Sequence, residues 1–421
     1  MRIFYNIGIW AYRWAIGLAS VFNEKAKLWI SGRWDWQERL AAGVQEGENW
    51  VWFHCSSLGE FEQGRPLIEA IKASHPEQKI LLTFFSPSGY EIRKGYPLAD
   101  HICYLPLDTR HNAVTFLDIV QPSLVVFVKY DLWLNFIEET HRRSIHMVLV
   151  SVLMREQSKF FKSILRFSYR RALHSFSWIF TQDKKSALLL EKFTSSDRIS
   201  VAGDTRFDRV IELPSKFQEV PGIAEYIRHR RCIVVGSTWP PDESIVLSVI
   251  KSMRRADLCW IIAPHEIHPQ HIDRLIASAP DYMAKYSQLE QAIDSTDVLW
   301  IDNVGMLSRL YHYSDVVYIG GGFGVGIHNT QEPAVYGNPV IFGPNHTRFE
   351  EAIDMVKLGT ATMVNDPDEL RLALEQWLTD PKLLADARSK NIAYMKSKTG
   401  ATEAILAKLS LMNYYNGPAK S

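Results

Sequence analysis

Short apolar runs rich in β-branched and aromatic residues alternate along this chain with longer stretches of helical periodicity. That alternation predicts parallel sheets with crossover helices, because a strand buried on both faces has no polar side to show. In the first half, WVWFHC near 51, KILLTFF (79–85), HICYLP (101–106), SLVVFV (123–128), HMVLVSV (146–152) and SWIFTQ (177–182) read as strands. A fresh series follows: RCIVVGS (231–237), LCWIIAP (258–264), DVLWID (297–302), DVVYIGGG (315–322), PVIFGP (339–344) and ATMV (361–364). Between the two, VAGDTRFDRVIELPSKFQEVPG has the prolines and polar residues of an interdomain linker around 206–222. The pattern predicts an α/β chain of two doubly wound domains facing across a cleft. Ligands of such sheets bind beyond the carboxyl ends of the strands, so the loops after strands are where chemistry is expected.

Composition narrows the class. A chain of 421 residues is too long for one ordinary core, and 47% hydrophobic with 22% charged residues describes a folded protein. Lys plus Arg and Asp plus Glu balance at 47 each, so there is no global basic field and nucleic acid is not an expected partner. Cys55, Cys103, Cys232 and Cys259 stand singly in apolar surroundings, which fits small buried thiols and neither a disulfide framework nor a zinc site. His265, Glu266 and His268 lack the HExxH spacing and follow a strand, so no metal is expected there.

The N-terminus departs from an ordinary globular start. Between Ile3 and Phe22 the only charge is Arg13, among aromatics at Phe4, Tyr5, Trp10, Tyr12, Trp14 and Phe22. No small-residue cleavage site follows, as a signal peptide would require. A span needs about 20 apolar residues, and Arg13 falls in the middle, where a charge is expensive. An interfacial anchor fits better, with Lys25, Lys27 and Arg33 facing anionic headgroups on the cytoplasmic side. The competing reading is an apolar helix packed on its own domain.

Two stretches carry the candidate chemistry. In GGGFGVGIHNTQEPAVYG (320–337) a strand runs into five glycines in seven residues and then a helix start. Amide groups there make a phosphate site, which Gly322, Gly324 and Gly326 let an anion approach. Asn329 is placed to cap the helix, and Glu332, one turn in, to take two ribose hydroxyls. A plain tight turn explains this many glycines poorly. The second stretch is WVWFHCSSLGEFEQG (50–64), where a strand ends, a loop turns and Glu60 opens a helix. A carboxylate there suits general-base work, although taken alone it reads more readily as a stabilising first-turn charge. Pro264 and His265 follow a second-domain strand and read as nucleotide-pocket residues. Arg206, at the domain junction, reads as an anion contact or a surface arginine. SPSG (86–89) and YDLWLN (130–135) follow first-domain strands and face the cleft.

Taken together these residues resemble the 3-deoxy-D-manno-octulosonic acid (Kdo) transferases of Gram-negative bacteria. The family pattern W-x-H-x-x-S-x-G-E is met by Trp52, His54, Ser57, Gly59 and Glu60, and a T-x-x-x-x-S/T-G segment by Thr83 to Gly89, with Ser88 inside it. Gly203, Asp204, Arg206, Phe207 and Asp208 answer G-N-x-K-F-D, and Gly236 to Glu243 a G-S-T segment. Most specific is H-N-x-x-E-P-A-x-x-G-x-P-V-x-F-G-P, met from His328 to Pro344. There are departures: Lys129 stands where the family's E-T-E-L-W-P-N has its first glutamate, the glycine loop is shorter, and Arg206 replaces a lysine. The resemblance implies a GT-B glycosyltransferase, with an N-terminal apolar membrane-associating helix (1–25), an acceptor domain (26–212), a donor domain (213–398) and a closing C-terminal helix and tail (399–421). It implies transfer of Kdo from CMP-Kdo, with inversion, to a lipid IVA-like precursor of lipid A at the cytoplasmic face of the inner membrane. Glu60 is then the base, Gly305 and Met306 touch the cytidine, and Ser57, Gly59, Ser88, Lys129 and Arg206 meet the acceptor or anions. No cofactor or metal is implied. The alternative within the same fold is an enzyme of UDP-sugars, a transferase or epimerase.

Overall fold

The computed structural model describes residues 2–45, 47–129, 131–156, 166–279, 281–293 and 295–412. The last part of the C-terminal tail (413–421) lies outside them. The chain divides into two compact units. One runs to Asp208 and resumes from Lys398, and the other is Arg209–Ser397. The first unit thus takes in both terminal segments that the sequence pattern sets apart, and the handover falls at 208/209 rather than 212/213.

In the first unit the strands are β1 Trp50–Cys55, β2 Lys79–Phe84, β3 His101–Tyr104, β4 Leu124–Val128, β5 His146–Val152, β6 Trp178–Thr181 and β7 Ile199–Val201. They form one parallel sheet in the order β3-β2-β1-β4-β5-β6-β7. The side-chain period of two explains the layering. Trp50 and Trp52 of β1 enter a core with Phe116, Phe127 and Phe136, while Val51, Phe53 and Cys55 enter the opposite core with Phe61 and Phe84. The second unit holds β8 Arg231–Thr238, β9 Leu258–Pro264, β10 Met283–Lys285, β11 Val298–Trp300, β12 Val316–Ile319, β13 Val340–Phe342 and β14 Ala361–Met363. Its order is β10-β11-β9-β8-β12-β13-β14, again parallel throughout. Every strand expected from the apolar runs is present. The two not expected, β7 and β10, are three-residue strands at sheet edges, too short to show a period. In each sheet the order reverses near the centre, at β1/β4 and at β8/β12 (the second sheet also exchanges β10 and β11 at its edge), and both candidate stretches leave strands at the central reversals.

The C-terminal helix Ala401–Leu411 belongs to the first unit. Asp208 accepts hydrogen bonds from the amides of Gly400 (2.6 Å) and Thr402 (2.7 Å) and so caps its start. Ile405 and Leu409 are buried in the β1/β2 core, each worth about 1.5–3 kcal/mol. Asp208→Ala should cost about 1–2 kcal/mol and raise amide exchange over 401–411. Unchanged exchange there would show the cap to be dispensable.

The N-terminal helix Arg2–Ala19 shows two characters. One face packs on its own unit: Ile9 is buried beside Trp29 and Leu107, and the Tyr5 hydroxyl donates to buried Asp108. Burial pushes the Asp108 carboxyl up to about 6 despite this bond and those from the amides of Asn135 and Phe136. The other face leaves Ile3, Phe4, Ile7, Trp14 and Leu18 exposed. Among the described residues no helix is long and apolar enough to cross a membrane. Arg33 does not serve as a headgroup contact. It lies over Trp29 and donates to the carbonyls of Trp29, Phe85 and Leu105, stitching the N-terminal helices to the sheet.

Candidate functional site

At the end of β1 the chain turns at Ser56 and Ser57 and enters the helix Leu58–Ser74, in whose first turn Glu60 lies. The Glu60 side chain folds back, accepting from the Ser56 amide at 2.5 Å and also from the Ser57 amide. It is only 7% exposed. A Cβ added at Gly59 would meet nothing within 4 Å, so this turn is open on that side.

Behind the turn lies a buried chain of hydrogen bonds. Trp133 Nε1–H donates to His54 Nε2 (2.8 Å), and His54 Nδ1 meets Thr83 Oγ1 (2.9 Å), which also accepts from Trp52 Nε1–H (2.8 Å). His54 Nε2 is therefore an acceptor and Nδ1 carries the proton. Burial, with the nearby Arg33 charge adding, pushes the imidazole down to about 3, so it is neutral. His54 Nε2 also lies 3.1 Å from Ser56 Oγ and fixes the turn from below.

Charges gather around Glu60 from the end of β4. Lys129 follows that strand with φ of 66°, a left-handed conformation that strains a non-glycine residue. Burial first, then the Asp131 carboxylate, raises the Glu60 carboxyl to about 8, against the opposing pull of Lys129 and the two serine amides. Asp131 is itself raised by burial, and Lys129 is lowered by burial. Arg206 is not an open anion contact: its guanidinium grips Asp204 through two nitrogens at 2.6–3.2 Å. Asp204 and Arg206 depart together from the asparagine and lysine of the family pattern, and they pair with each other. Ser88 lies on the neighbouring turn, where Ser86 Oγ is 2.9 Å from Ser88 Oγ and the Ser86 amide donates to the Ser56 carbonyl (2.8 Å).

In the second unit the loops after β8 and β12 are held by one buried carboxylate. Asp242 accepts from the amides of Trp239 (3.0 Å) and Gly321 (2.9 Å) and from the Tyr318 hydroxyl (2.9 Å). Trp239 Nε1–H donates to His328 Nε2 (3.0 Å), and His265 stacks on His328 with ring centres 4.2 Å apart. Burial, and secondarily His265, pushes His328 down to about 4, so near neutral pH it offers a hydrogen bond without a charge. Ser237, at the end of β8, shares the left-handed strain of Lys129, with φ of 56°.

The glycines divide by cause. A Cβ on Gly320 would sit 2.4 Å from the Ser237 carbonyl, and one on Gly322 would sit 2.5 Å from the Gly343 amide. What comes close to Gly320 and Gly322 is the chain's own backbone. Gly324 has its nearest neighbour at 3.9 Å and does leave room, but its amide and that of Gly326 already donate to the Gly321 carbonyl. The helix that follows is five residues, Gln331–Val335, and its cap position is Thr330. Asn329 caps from one residue earlier, its Oδ1 accepting from the Gln331 amide (2.8 Å) while its Nδ2 donates to Glu332 (3.2 Å). Asn329 and Glu332 are thus one assembly. Pro264, His265 and Gly305 meet Ser237 and Asn303 around a cavity of about 190 Å³. Met306 is buried beside that cavity's Gly305 and does not line it; Gly322, Gly324, Gly326, Asn329 and Glu332 lie outside its lining.

Ser56, Asp131, Trp133 and Asp242 received no role of their own from the sequence, although Asp131 and Trp133 lie in YDLWLN and Asp242 in the segment Gly236 to Glu243. Asp131 and Asp242 had a signal, an acid within a few residues of a strand's carboxyl end, yet nothing in the sequence says which way such an acid turns.

The family described as 3-deoxy-D-manno-octulosonic-acid transferase (kdotransferase) matches residues 34–209, which hold the first-unit constellation. A 3-deoxy-D-manno-octulosonic acid transferase of Rickettsia bellii is 27% identical over 359 residues, 82% of this chain and 83% of the relative. Another, of Haemophilus influenzae, is 23% identical over 407 residues, 93% of each. In fold the chain is similar to a UDP-GlcNAc 2-epimerase of Neisseria meningitidis, with a TM-score of 0.60 at 15% identity, covering 86% of this chain and 99% of that one. Two parallel doubly wound sheets of this kind are the GT-B architecture. Residues 34–209 thus match the Kdo transferase family of glycosyltransferases, and over most of its length the chain is similar to Kdo transferases.

Proposed function

We propose that the protein moves Kdo from CMP-Kdo to a lipid A precursor in lipopolysaccharide biosynthesis, with inversion at the anomeric carbon. The observation that carries this is Glu60, a buried carboxylate fixed at an open turn on the domain that matches the family. In this reading Glu60 takes the proton of an acceptor hydroxyl as the oxygen bonds to the anomeric carbon. The bond from that carbon to the CMP phosphate oxygen breaks, and CMP leaves with the electron pair. Ser57, Ser88 and Lys129 border the acceptor, and Gly59 leaves space for it. In the second unit the cavity at Pro264, His265 and Gly305 takes the base of CMP, and Asn329 with Glu332 takes its ribose and phosphate. The exposed face of the helix Arg2–Ala19 rests on the cytoplasmic face of the inner membrane. Lys25 and Lys27 add an attraction to anionic headgroups that salt would screen, while apolar insertion would persist.

The test is to incubate purified protein with a lipid A precursor and CMP-Kdo generated in situ, then weigh the product. A mass gain of whole Kdo units is expected, and none under conditions where the protein is folded would overturn the reading. The alternative, a UDP-sugar enzyme of the same fold, separates by nucleotide: CMP rather than UDP should raise the thermal midpoint. Asn329→Ala and Glu332→Ala should each weaken CMP binding by about 1.5–3 kcal/mol, roughly ten- to a hundred-fold. Unchanged affinity in both by calorimetry would put the donor elsewhere.

A further inference from the structure

The helix Leu134–Arg142 lacks a cap of its own, since Trp133 holds the cap position and an indole offers no acceptor. Buried Asp108, from the loop after β3, supplies one. Its carboxylate accepts from the amides of Asn135 (3.1 Å) and Phe136 (3.0 Å), and its carbonyl from the Asn135 side chain (2.6 Å). The N-terminal helix completes this joint. The Tyr5 hydroxyl donates to the Asp108 carboxylate (2.5 Å) and accepts from the Leu134 amide (3.4 Å), and Asn6 Oδ1 accepts from the Asn135 side chain (3.1 Å). Trp133, fixed at the cap, turns its indole N–H to His54 Nε2 (2.8 Å), and the same nitrogen lies 3.1 Å from the Ser56 hydroxyl. The Ser56 amide in turn holds Glu60. A line of hydrogen bonds, joined by the backbone from 133 to 135, therefore runs from the N-terminal helix to Glu60. Rings run beside it. Tyr12 stacks on Phe85 with ring centres 6.0 Å apart, Phe85 lies 4.2 Å from the Trp133 ring, and the next residue, Ser86, donates its amide to the Ser56 carbonyl (2.8 Å). Two paths from one helix meet at one serine, and a helix that served only as an anchor would need neither.

We propose that Tyr5 and Trp133 are positioning residues of the first-unit site, through which the N-terminal helix sets the turn that carries Glu60. The helix is then a part of the site as well as the membrane contact proposed above. The inference rests on Glu60 as the base for its effect on transfer, and on the hydrogen bonds alone for its effect on the turn.

The test reads the turn and the turnover separately, on the full chain. Tyr5→Phe keeps the ring and removes the hydroxyl; Trp133→Phe keeps a ring against Phe85 and removes the donor to His54. Nitrogen-15 NMR of labelled histidine should show the His54 Nε2 signal moving toward that of an unbonded acceptor in Trp133→Phe, and the same way by less in Tyr5→Phe. Exchange of the Ser56 amide should quicken in both. With an acceptor dispersed in detergent, where no bilayer is needed, kcat should fall roughly two- to ten-fold, the worth of about one hydrogen bond. KM for CMP-Kdo should stay. Trp14→Ala, on the exposed face of the same helix, should leave the His54 and Ser56 signals in place. Signals unmoved in folded Tyr5→Phe overturn the proposal, as do signals that move equally in Trp14→Ala. If Tyr5→Phe fails to fold, Asn6→Ala, which takes one acceptor from the Asn135 side chain, carries the test by the same criteria. Signals that move with no change in kcat uphold the joint and sink Glu60 as the base.

Discussion

Glu60→Gln is expected to lower transfer by about 10²–10⁴-fold, the usual worth of a general base, and to leave CMP binding nearly intact. Glutamine keeps an oxygen that can accept from the Ser56 amide, so the turn should survive and the loss should be chemical. The carboxyl raised to about 8 adds a pH signature. Wild-type kcat/KM should climb through that region as Glu60 loses its proton, and the residual activity of Glu60→Gln should not. Stability should move the other way. A carboxyl whose folded pKa lies above its unfolded value favours the folded state only while protonated. That contribution is present below the ordinary glutamate range and is lost as pH rises toward 8. Above pH 8, Glu60→Gln should therefore melt higher than wild type. Near-normal turnover would remove Glu60 from the chemistry, and a lower melting point would show that the carboxylate is held for structure.

Asp242→Ala should be the most damaging single change in the second unit. It strips the partner from the amides of Trp239 and Gly321 and from the Tyr318 hydroxyl, at a side chain only 1% exposed. Each buried donor left without an acceptor costs about 1–3 kcal/mol, so a total of roughly 3–9 kcal/mol is expected in urea unfolding. The damage should reach the proposed donor site, because Trp239, whose amide Asp242 anchors, holds His328 through its indole. CMP affinity should fall even where the variant remains folded. A loss under about 1 kcal/mol would mean that neighbouring strands, and not this carboxylate, hold the two loops.

These expectations rest on features that the sequence discloses unevenly. Long apolar runs such as Leu124–Val128 declare strands because a doubly covered sheet leaves no position polar. The edge strands Ile199–Val201 and Met283–Lys285 have no such run to declare them. Glu60 and the Asn329–Glu332 pair were legible from their place just beyond strand ends. The glycines were legible only by half: a glycine announces that backbone comes near, and not whose, and at Gly320 and Gly322 it is the protein's own. Arg33 read as a surface cation from its neighbours Lys25 and Lys27, yet aromatic rings and three carbonyls enclose it. Arg206 looked like a lone departure from a pattern, and its partner is Asp204, two residues before it. Partnerships between distant loops, such as Trp133 with His54, depend on strand order, which no local pattern carries.

The return of the last helix to the first unit also sets an order of events during synthesis. The groove between Asp208 and the β1/β2 core waits for residues 401–411, which are made only after all of Arg209–Ser397. At common translation speeds that interval is roughly 10–40 s. For that time the nascent chain presents an unfilled apolar slot beside the helix that bears Glu60, while the unit made later can already close on itself. The ribosome thus finishes the second unit before the first becomes whole.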